Sequence, residues 1–262
     1  MRNVIVTGGT RGLGLGIVQR LAKAGFHPIA IARSEGDQFA AAQRRSVLAG
    51  YGALDFVPFD LTQIDDISKL ITILKTRFGG VYGLVNNAGM STDGPLALTP
   101  TAKIEQIVRL NTLSPMVLTK YVVRSMMSDG GGRIVNISSI TASTGYSGLS
   151  VYAATKAYVN SFSEALRIEL RGSGVNVLAL CPGPVETEFG QVASRENSKR
   201  KFAPPDFLCV SKAEVVSDTL RRLRRGGRLI PGILVRIPML LAESTPRWIL
   251  RFVFNRASGD YR

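Results

Sequence analysis

Residues Asn3–Thr7, NVIVT, form a short apolar run that leads straight into Gly8-Gly9-Thr10-Arg11-Gly12-Leu13-Gly14. An unbroken apolar run without alternation is the pattern of a strand covered on both faces, as in a parallel sheet. Leu15–Ala24 then carries apolar residues at helical spacing and stops at Gly25. Strand, glycine turn and helix together make a phosphate cradle. Gly8 permits the tight turn, Gly12 lets the backbone approach a pyrophosphate, and Gly14 lets the helix pack closely. The helix N-terminus then faces the negative charge. Thr10, Arg11 and Leu13 complete the loop and are assigned to the same nucleotide site.

The rest of the chain repeats the alternation. Apolar runs at His27–Ala32, Leu54–Phe59, Val81–Val85, Arg133–Ile137 and Val175–Leu180 read as further strands, and Arg228–Gly232 reads as a seventh, edge strand. Helical stretches fall at Ser34–Gly50, Thr62–Phe78, Thr101–Met127 and Val151–Arg171, and Ser211-x-x-Glu214 is a capping box opening another. With no internal repeat or linker, this predicts an α/β chain folded as a single Rossmann-type domain over residues 1–262. Its doubly wound parallel sheet has about seven strands in the order 3-2-1-4-5-6-7, with helices on both faces.

The end of the second strand bears on the nucleotide. A free ribose 2′-hydroxyl usually meets an Asp or Glu about 18 residues past the last glycine. Here that position is Ala32, followed by Arg33, and Arg11 lies in the glycine loop. Two guanidinium groups suit a 2′-phosphate, so NADP(H) is expected over NAD(H). Asp60, after strand three, could accept from an adenine amino group, with Leu61 beside it. Asn86-Asn87-Ala88-Gly89 ends strand four, at the edge where open α/β sheets bind ligands.

Tyr152 and Lys156 are four residues apart, one helical turn, on one face. An ammonium beside a phenol favours the phenolate, and a tyrosine so tuned can exchange a proton with a hydroxyl or carbonyl. Ser139, after Ile134–Ile137, could hold a carbonyl oxygen beside that phenol. Asn111 sits in an apolar helical run and needs a partner or a water.

In order and spacing these residues resemble the short-chain dehydrogenase/reductase family over residues 3–188. The resemblance rests on Thr7-Gly8-x-x-x-Gly12-x-Gly14, Asp60, Asn86-Asn87-Ala88-Gly89, Asn111, Ser139, Tyr152-x-x-x-Lys156 and Pro182-Gly183. It implies an oxidoreductase with Tyr152 as acid/base, Lys156 lowering its pKa and binding the nicotinamide ribose, and Ser139 orienting the substrate oxygen. Asn111 would hold a water linking Lys156 to solvent. Hydride would pass between nicotinamide and a carbonyl carbon. Pro182, Gly183 and Val185 would line the nicotinamide pocket, and Thr187 would contact its amide. Residues 189–228 would supply a substrate lid and the following helix, and family members are mostly dimers or tetramers.

Within the family the chain resembles the 3-oxoacyl reductases, so the expected substrate is a 3-oxoacyl thioester or another long apolar ketone. A steroid, polyol or secondary-metabolite ketone is the alternative. The carrier-docking arginines of that group fall here on Gly130 and Ser173, although Arg171 is close. A non-catalytic NADP-binding scaffold at a membrane or protein surface is the alternative of another class.

Charge adds a separate constraint. The chain carries a net +14, and residues 195–262 hold 15 Lys/Arg against 6 Asp/Glu, a net of +9. That suits an anionic partner: an acidic carrier protein or an anionic membrane surface. The extension 234–262 mixes Ile237, Leu240, Leu241, Trp248, Phe252 and Phe254 with Arg236, Arg247, Arg251 and Arg256, a basic amphipathic pattern. Nucleic-acid binding is disfavoured, because the aromatics sit in a stretch better suited to lipid. Cys181 and Cys209 match no metal spacing and read as reduced thiols, and the lone His27 offers no ligand cluster. A cytoplasmic protein, peripherally membrane-associated at most, is the expectation.

Overall fold

The computed structural model describes residues 1–143, 147–185, 210–222 and 226–245. Seven strands form one sheet: β1 (Asn3–Thr7), β2 (His27–Ala32), β3 (Asp55–Pro58), β4 (Val81–Asn86), β5 (Gly132–Ile137), β6 (Val175–Leu180) and β7 (Gly227–Leu229). Their order is β3-β2-β1-β4-β5-β6-β7, and every pairing is parallel. The expected Rossmann-type order is therefore observed. β1 is flanked by β2 and β4, so the glycine turn leaves from inside the sheet rather than from an edge.

Side chains leave a strand on alternate faces, and each face of this sheet has its own core. Val4 and Val6 of β1, Val135 of β5 and Leu178 of β6 join one cluster. It is covered by α1 (Gly12–Lys23), α2 (Asp37–Leu48) and α7 (Lys212–Arg222) through Ile17, Val18, Phe39, Val215 and Val216. Ile5, Ile29, Ile31, Leu84, Ile134 and Val177 point the other way. There α3 (Ile67–Phe78), α5 (Ser114–Ser128) and α6 (Ser150–Glu169) supply Leu70, Leu74, Leu118, Val122, Met126 and Leu166. The apolar strand runs seen in the sequence are thus strands covered on both sides.

His27 has a structural position. One ring nitrogen lies 2.8 Å from Asn3 Oδ1 and the other 2.7 Å from Asp55 Oδ2, tying β1, β2 and β3 together at their N-terminal ends. The capping box is formed on its serine side, with the Glu214 backbone N–H donating to Ser211 Oγ at 3.2 Å. The final described helix, α8 (Ile233–Ser244), begins the predicted C-terminal extension. Thr187, Cys209, residues 189–209 of the expected lid, and residues 246–262 with Trp248, Phe252 and Phe254 lie outside the described residues.

The helical stretch expected at Thr101–Met127 is helical throughout, but not α-helical throughout. It is α4 (Thr101–Val108), a five-residue π segment Arg109–Leu113, and then α5. The sequence contains the reason. Pro115 has no N–H to give the carbonyl four residues back, and its ring crowds that carbonyl. That carbonyl belongs to Asn111. The helix therefore widens at Asn111, as π turns inserted in α-helices do, often at functional positions.

Candidate active site

The glycine turn sits where β1, β4 and α1 meet. Gly8 and Gly12 have φ of 63° and 55°, the left-handed region that favours glycine. Gly14 is needed for close approach. A Cβ on it would lie 2.2 Å from the Gly8 carbonyl oxygen and 2.5 Å from Asn87 Nδ2. The start of α1 thus packs on the turn itself. Asn87 stitches the same turn, donating from Nδ2 to the carbonyls of Thr7 (2.9 Å) and Gly8 (3.2 Å). Thr7 closes the knot, its Oγ1 accepting from the backbone N–H of Asn87 and of Ala88, each at 2.9 Å. Composition gave no hint of this Thr7 role; its place beside the glycines was the only signal.

This end of the sheet suits a nucleotide. The first turn of α1 has no acidic residue and no side-chain cap, so its N–H groups remain for an anion. Arg11 and Arg33 are exposed, one at the start of α1 and one just past β2. Thr10 is buried and Leu13 packs against the core. Asp60 Oδ1 accepts from Thr62 N (2.9 Å) and Thr62 Oγ1 (2.8 Å), which fixes the carboxylate at the end of β3. Leu61 is buried in the core, so only its backbone could face a ligand. Pro182 is held by its carbonyl, which accepts from Ile140 N at 3.1 Å. Gly183 and Val185 follow half-buried, and Val185 bridges Val210.

Ser139, Tyr152, Lys156 and Asn111 come together at the C-terminal end of β5. The tyrosine hydroxyl is hydrogen-bonded to the Ser139 side chain. The Lys156 ammonium lies 5.5 Å from the centroid of the Tyr152 ring and donates to the Ile137 carbonyl at 2.8 Å. Ser138 Oγ donates to the Lys156 carbonyl at 3.0 Å, holding α6 against β5. The Asn111 amide is locked by Met90, whose N–H and carbonyl it engages at 2.9 Å each, and it also donates to Thr155 Oγ1 at 3.0 Å. Gly89 marks where these groups converge. A Cβ there would lie 3.3 Å from Asn111 Oδ1 and 3.6 Å from Lys156 Nζ.

The electrostatics differ from the sequence expectation in sign. Tyr152 is half-buried as a residue, but its phenol is the desolvated end. Burial pushes its pKa up to about 12, and the Ser139 hydrogen bond offsets only part of this. Lys156 does not reverse it, because its ammonium sits over the ring and is bonded to a carbonyl rather than to the hydroxyl. Lys156 itself is 5% exposed, and burial pushes it down to about 8, with Cys181 opposing. The chain's own groups thus hold a firmly protonated phenol beside an ammonium close to losing its charge.

Thr141 was missed in the sequence. Its backbone N–H and its Oγ1 both donate to Ser139 Oγ, at 3.2 and 3.0 Å. With both lone pairs of that oxygen occupied, the Ser139 proton is left for the Tyr152 hydroxyl oxygen. A threonine in the short turn Ile140–Ala142 carries no periodic signal, so only the fold reveals it.

Below this cluster runs a second, neutral one. Asn86 Nδ2 donates to Asn136 Oδ1 (2.8 Å) and Thr119 Oγ1 (3.2 Å). Asn136 Nδ2 donates to Ser163 Oγ (2.9 Å), which donates to the Val159 carbonyl (2.6 Å). Asn86 Oδ1 is buried without a partner among the described residues.

Comparison with known proteins agrees with this geometry. Residues 2–198 match the family model of the short chain dehydrogenases. The ketoacyl reductase HetN of a Nostoc species is 36% identical over 100% of this chain and 93% of its own length. The 3-oxoacyl-[acyl-carrier-protein] reductase FabG of Haemophilus influenzae is 35% identical over 73% of this chain and 77% of its own. Among solved structures, a short-chain dehydrogenase from Sphingobium yanoikuyae, in complex with NADPH, superposes with a TM-score of 0.81. It is 27% identical, and the match covers 95% of each chain. On this fold and these matches, the chain belongs to the short chain dehydrogenase family of oxidoreductases, a nicotinamide-binding fold, and resembles its 3-oxoacyl reductases.

Proposed function

We propose that the protein reduces a ketone to a secondary alcohol with NADPH, and that the substrate is a 3-oxoacyl thioester or a similarly apolar ketone. The observation that carries this is the Ser139–Tyr152 hydrogen bond with Lys156 over the tyrosine ring. The glycine turn, the uncapped start of α1 and the two exposed arginines support NADPH as the cofactor. Reduced nicotinamide supplies the hydride. The protein's residues supply position and the proton.

When a substrate enters, Ser139 would redirect its proton from the Tyr152 oxygen to the carbonyl oxygen. Tyr152, protonated across the neutral range, gives its proton to that oxygen as negative charge develops. Lys156 stabilises the resulting phenolate while it keeps its own charge. Asn111, in the π segment next to Lys156, would hold a water beside that ammonium. Burial keeps the phenol protonated at neutral pH, the form that gives a proton to a carbonyl oxygen. The relatives' names and the basic surface favour an acyl thioester, and the dimer or tetramer expected of this family remains part of the proposal.

The test follows NADPH consumption by the purified protein with short and long 3-oxoacyl thioesters, with NADH alongside. Turnover that rises with chain length and prefers NADPH supports the reading. Turnover only with a polyol or steroid ketone redirects the substrate. Tight NADPH binding with no turnover on any ketone sinks the enzymatic reading and leaves the scaffold.

A further inference from the structure

Helix α8 is apolar on both sides, and only one side is covered. Val235 is buried, and Met239 packs against the same core as Val210, Val215 and Ile230. The other side carries Ile233, Leu234, Ile237, Leu240 and Leu241, each between 51% and 68% exposed. Their spacing places them along one stripe. Monomeric proteins rarely leave a contiguous apolar strip of this kind uncovered without a use for it.

Size and charge narrow the occupant. The helix has 12 residues, about 18 Å of length. Its five side chains offer about 500 Å², against roughly 800 Å² per partner in a stable protein interface. The chain carries +14, which draws it to an anionic surface. Residues 195–262 hold 15 Lys/Arg against 6 Asp/Glu, and the only charged residue between Ile233 and Leu241 is Arg236. Aliphatic side chains on one face of a helix, in a strongly basic region, are the recipe for lying in the headgroup boundary of a bilayer.

The location fits. In a parallel sheet all strands end on one edge, and the Ser139–Tyr152 site occupies that edge. Helix α8 starts there too, with three residues between it and the end of β7. Its first turn abuts Val210, which bridges Val185; a Cβ on Gly232 would lie 3.0 Å from Val210 Cγ2. We infer that the exposed stripe of α8 docks the protein on an anionic phospholipid bilayer, with the site edge of the sheet turned toward lipid. No helix among the described residues is long and apolar enough to cross a membrane, so the contact is with the surface.

Vesicle sedimentation of the full chain tests this independently of any turnover. Vesicles of phosphatidylcholine with about 30% phosphatidylserine are compared with phosphatidylcholine alone. The expected result is sedimentation with the anionic vesicles, weakened by salt. A triple change, Leu234→Glu, Ile237→Glu and Leu240→Glu, should cut the bound fraction about tenfold with an unchanged far-UV spectrum. Three results overturn the inference. The wild type does not sediment with anionic vesicles. The triple variant sediments as well as the wild type. Or the triple variant sediments unchanged but becomes a smaller oligomer, which would make the stripe an interface between copies.

Discussion

Two polar clusters are stacked along the end of β5, and they behave differently. The lower, Thr119–Asn86–Asn136–Ser163, contains no titratable group, and its amide and Ser163 donors go to one another and to the Val159 carbonyl. The upper, Ser139–Tyr152–Lys156, holds two groups that burial pushes away from their ordinary pKa values, and a serine hydroxyl bonded to one of them. The residues are near neighbours in sequence, Asn136 and Ser139 being three apart. Neutral hydrogen-bonded networks stabilise a core even where one acceptor, here Asn86 Oδ1, has no partner among the described residues, whereas desolvated titratable groups cost stability and are kept for chemistry. The lower cluster should therefore answer to thermometers and the upper one to assays.

The sharpest test of that division is Tyr152→Phe. It removes the only phenolic proton of the upper cluster, and turnover should fall about 10³-fold. Because the change also removes a desolvated hydroxyl, the melting temperature should hold or rise. A variant with near-normal turnover would dissolve the distinction between the clusters.

Lys156→Met should lower turnover by about 10²-fold and shows the cost more directly. Burial lowers the folded-state pKa from 10.5 to about 8. Keeping the ammonium charged in the fold therefore costs stability below pH 8, by about 3 kcal/mol. The unfolded chain binds the extra proton between pH 8 and 10.5, so the penalty fades as pH rises through that window. Denaturant melts should show the variant gaining most on the wild type at pH 7 and least near pH 10.5. In the wild type, reduction should decline as pH passes about 8, when Lys156 loses its charge.

Thr141→Val sits between the two regimes. It removes one of two donors to Ser139 Oγ and should slow turnover about fivefold, the worth of roughly 1 kcal/mol. A positioning role predicts a lower kcat at nearly constant cofactor affinity, with Thr141→Ser restoring the rate. A purely structural role would instead lower the melting temperature and leave kcat alone. The smallest kinetic effect belongs to Asn136→Ala in the lower cluster. It should cost about 2–3 kcal/mol in urea unfolding by orphaning Asn86 and Ser163, while kcat changes less than about twofold.

These contrasts also mark what the sequence could reveal. Strand runs such as Val175–Leu180 are local and long enough to read directly, and the chain order of strands and helices left little choice of sheet. The glycine turn and the Tyr152–Lys156 spacing were legible for the same reason: each is a short motif whose geometry its own element sets. What needed the fold were balances and distant contacts. Tyr152 was expected to acidify beside Lys156, but desolvation outweighs an ammonium that another carbonyl already holds. Thr141 acts through a turn without periodicity. Asn87 was assigned to the nucleotide, yet its amide is committed to the Thr7 and Gly8 carbonyls across from β4, so any help it gives a nucleotide runs through the turn it holds. The break at Arg109–Leu113 was hidden because its cause, Pro115, stands at a position where helices ordinarily begin.

That break has a consequence for anyone editing the chain. A π turn is an α-helix carrying one surplus residue, so the helices on either side are out of phase by about 100°. Removing one residue between Arg109 and Leu113 would shorten the chain by very little. It would also rotate all 15 residues of α5 against β4 and β5, turning Leu118, Val122 and Met126 away from the core. The surplus residue works as a phase shifter, letting one continuous rod present Asn111 to the site at one end and an apolar face to the sheet at the other.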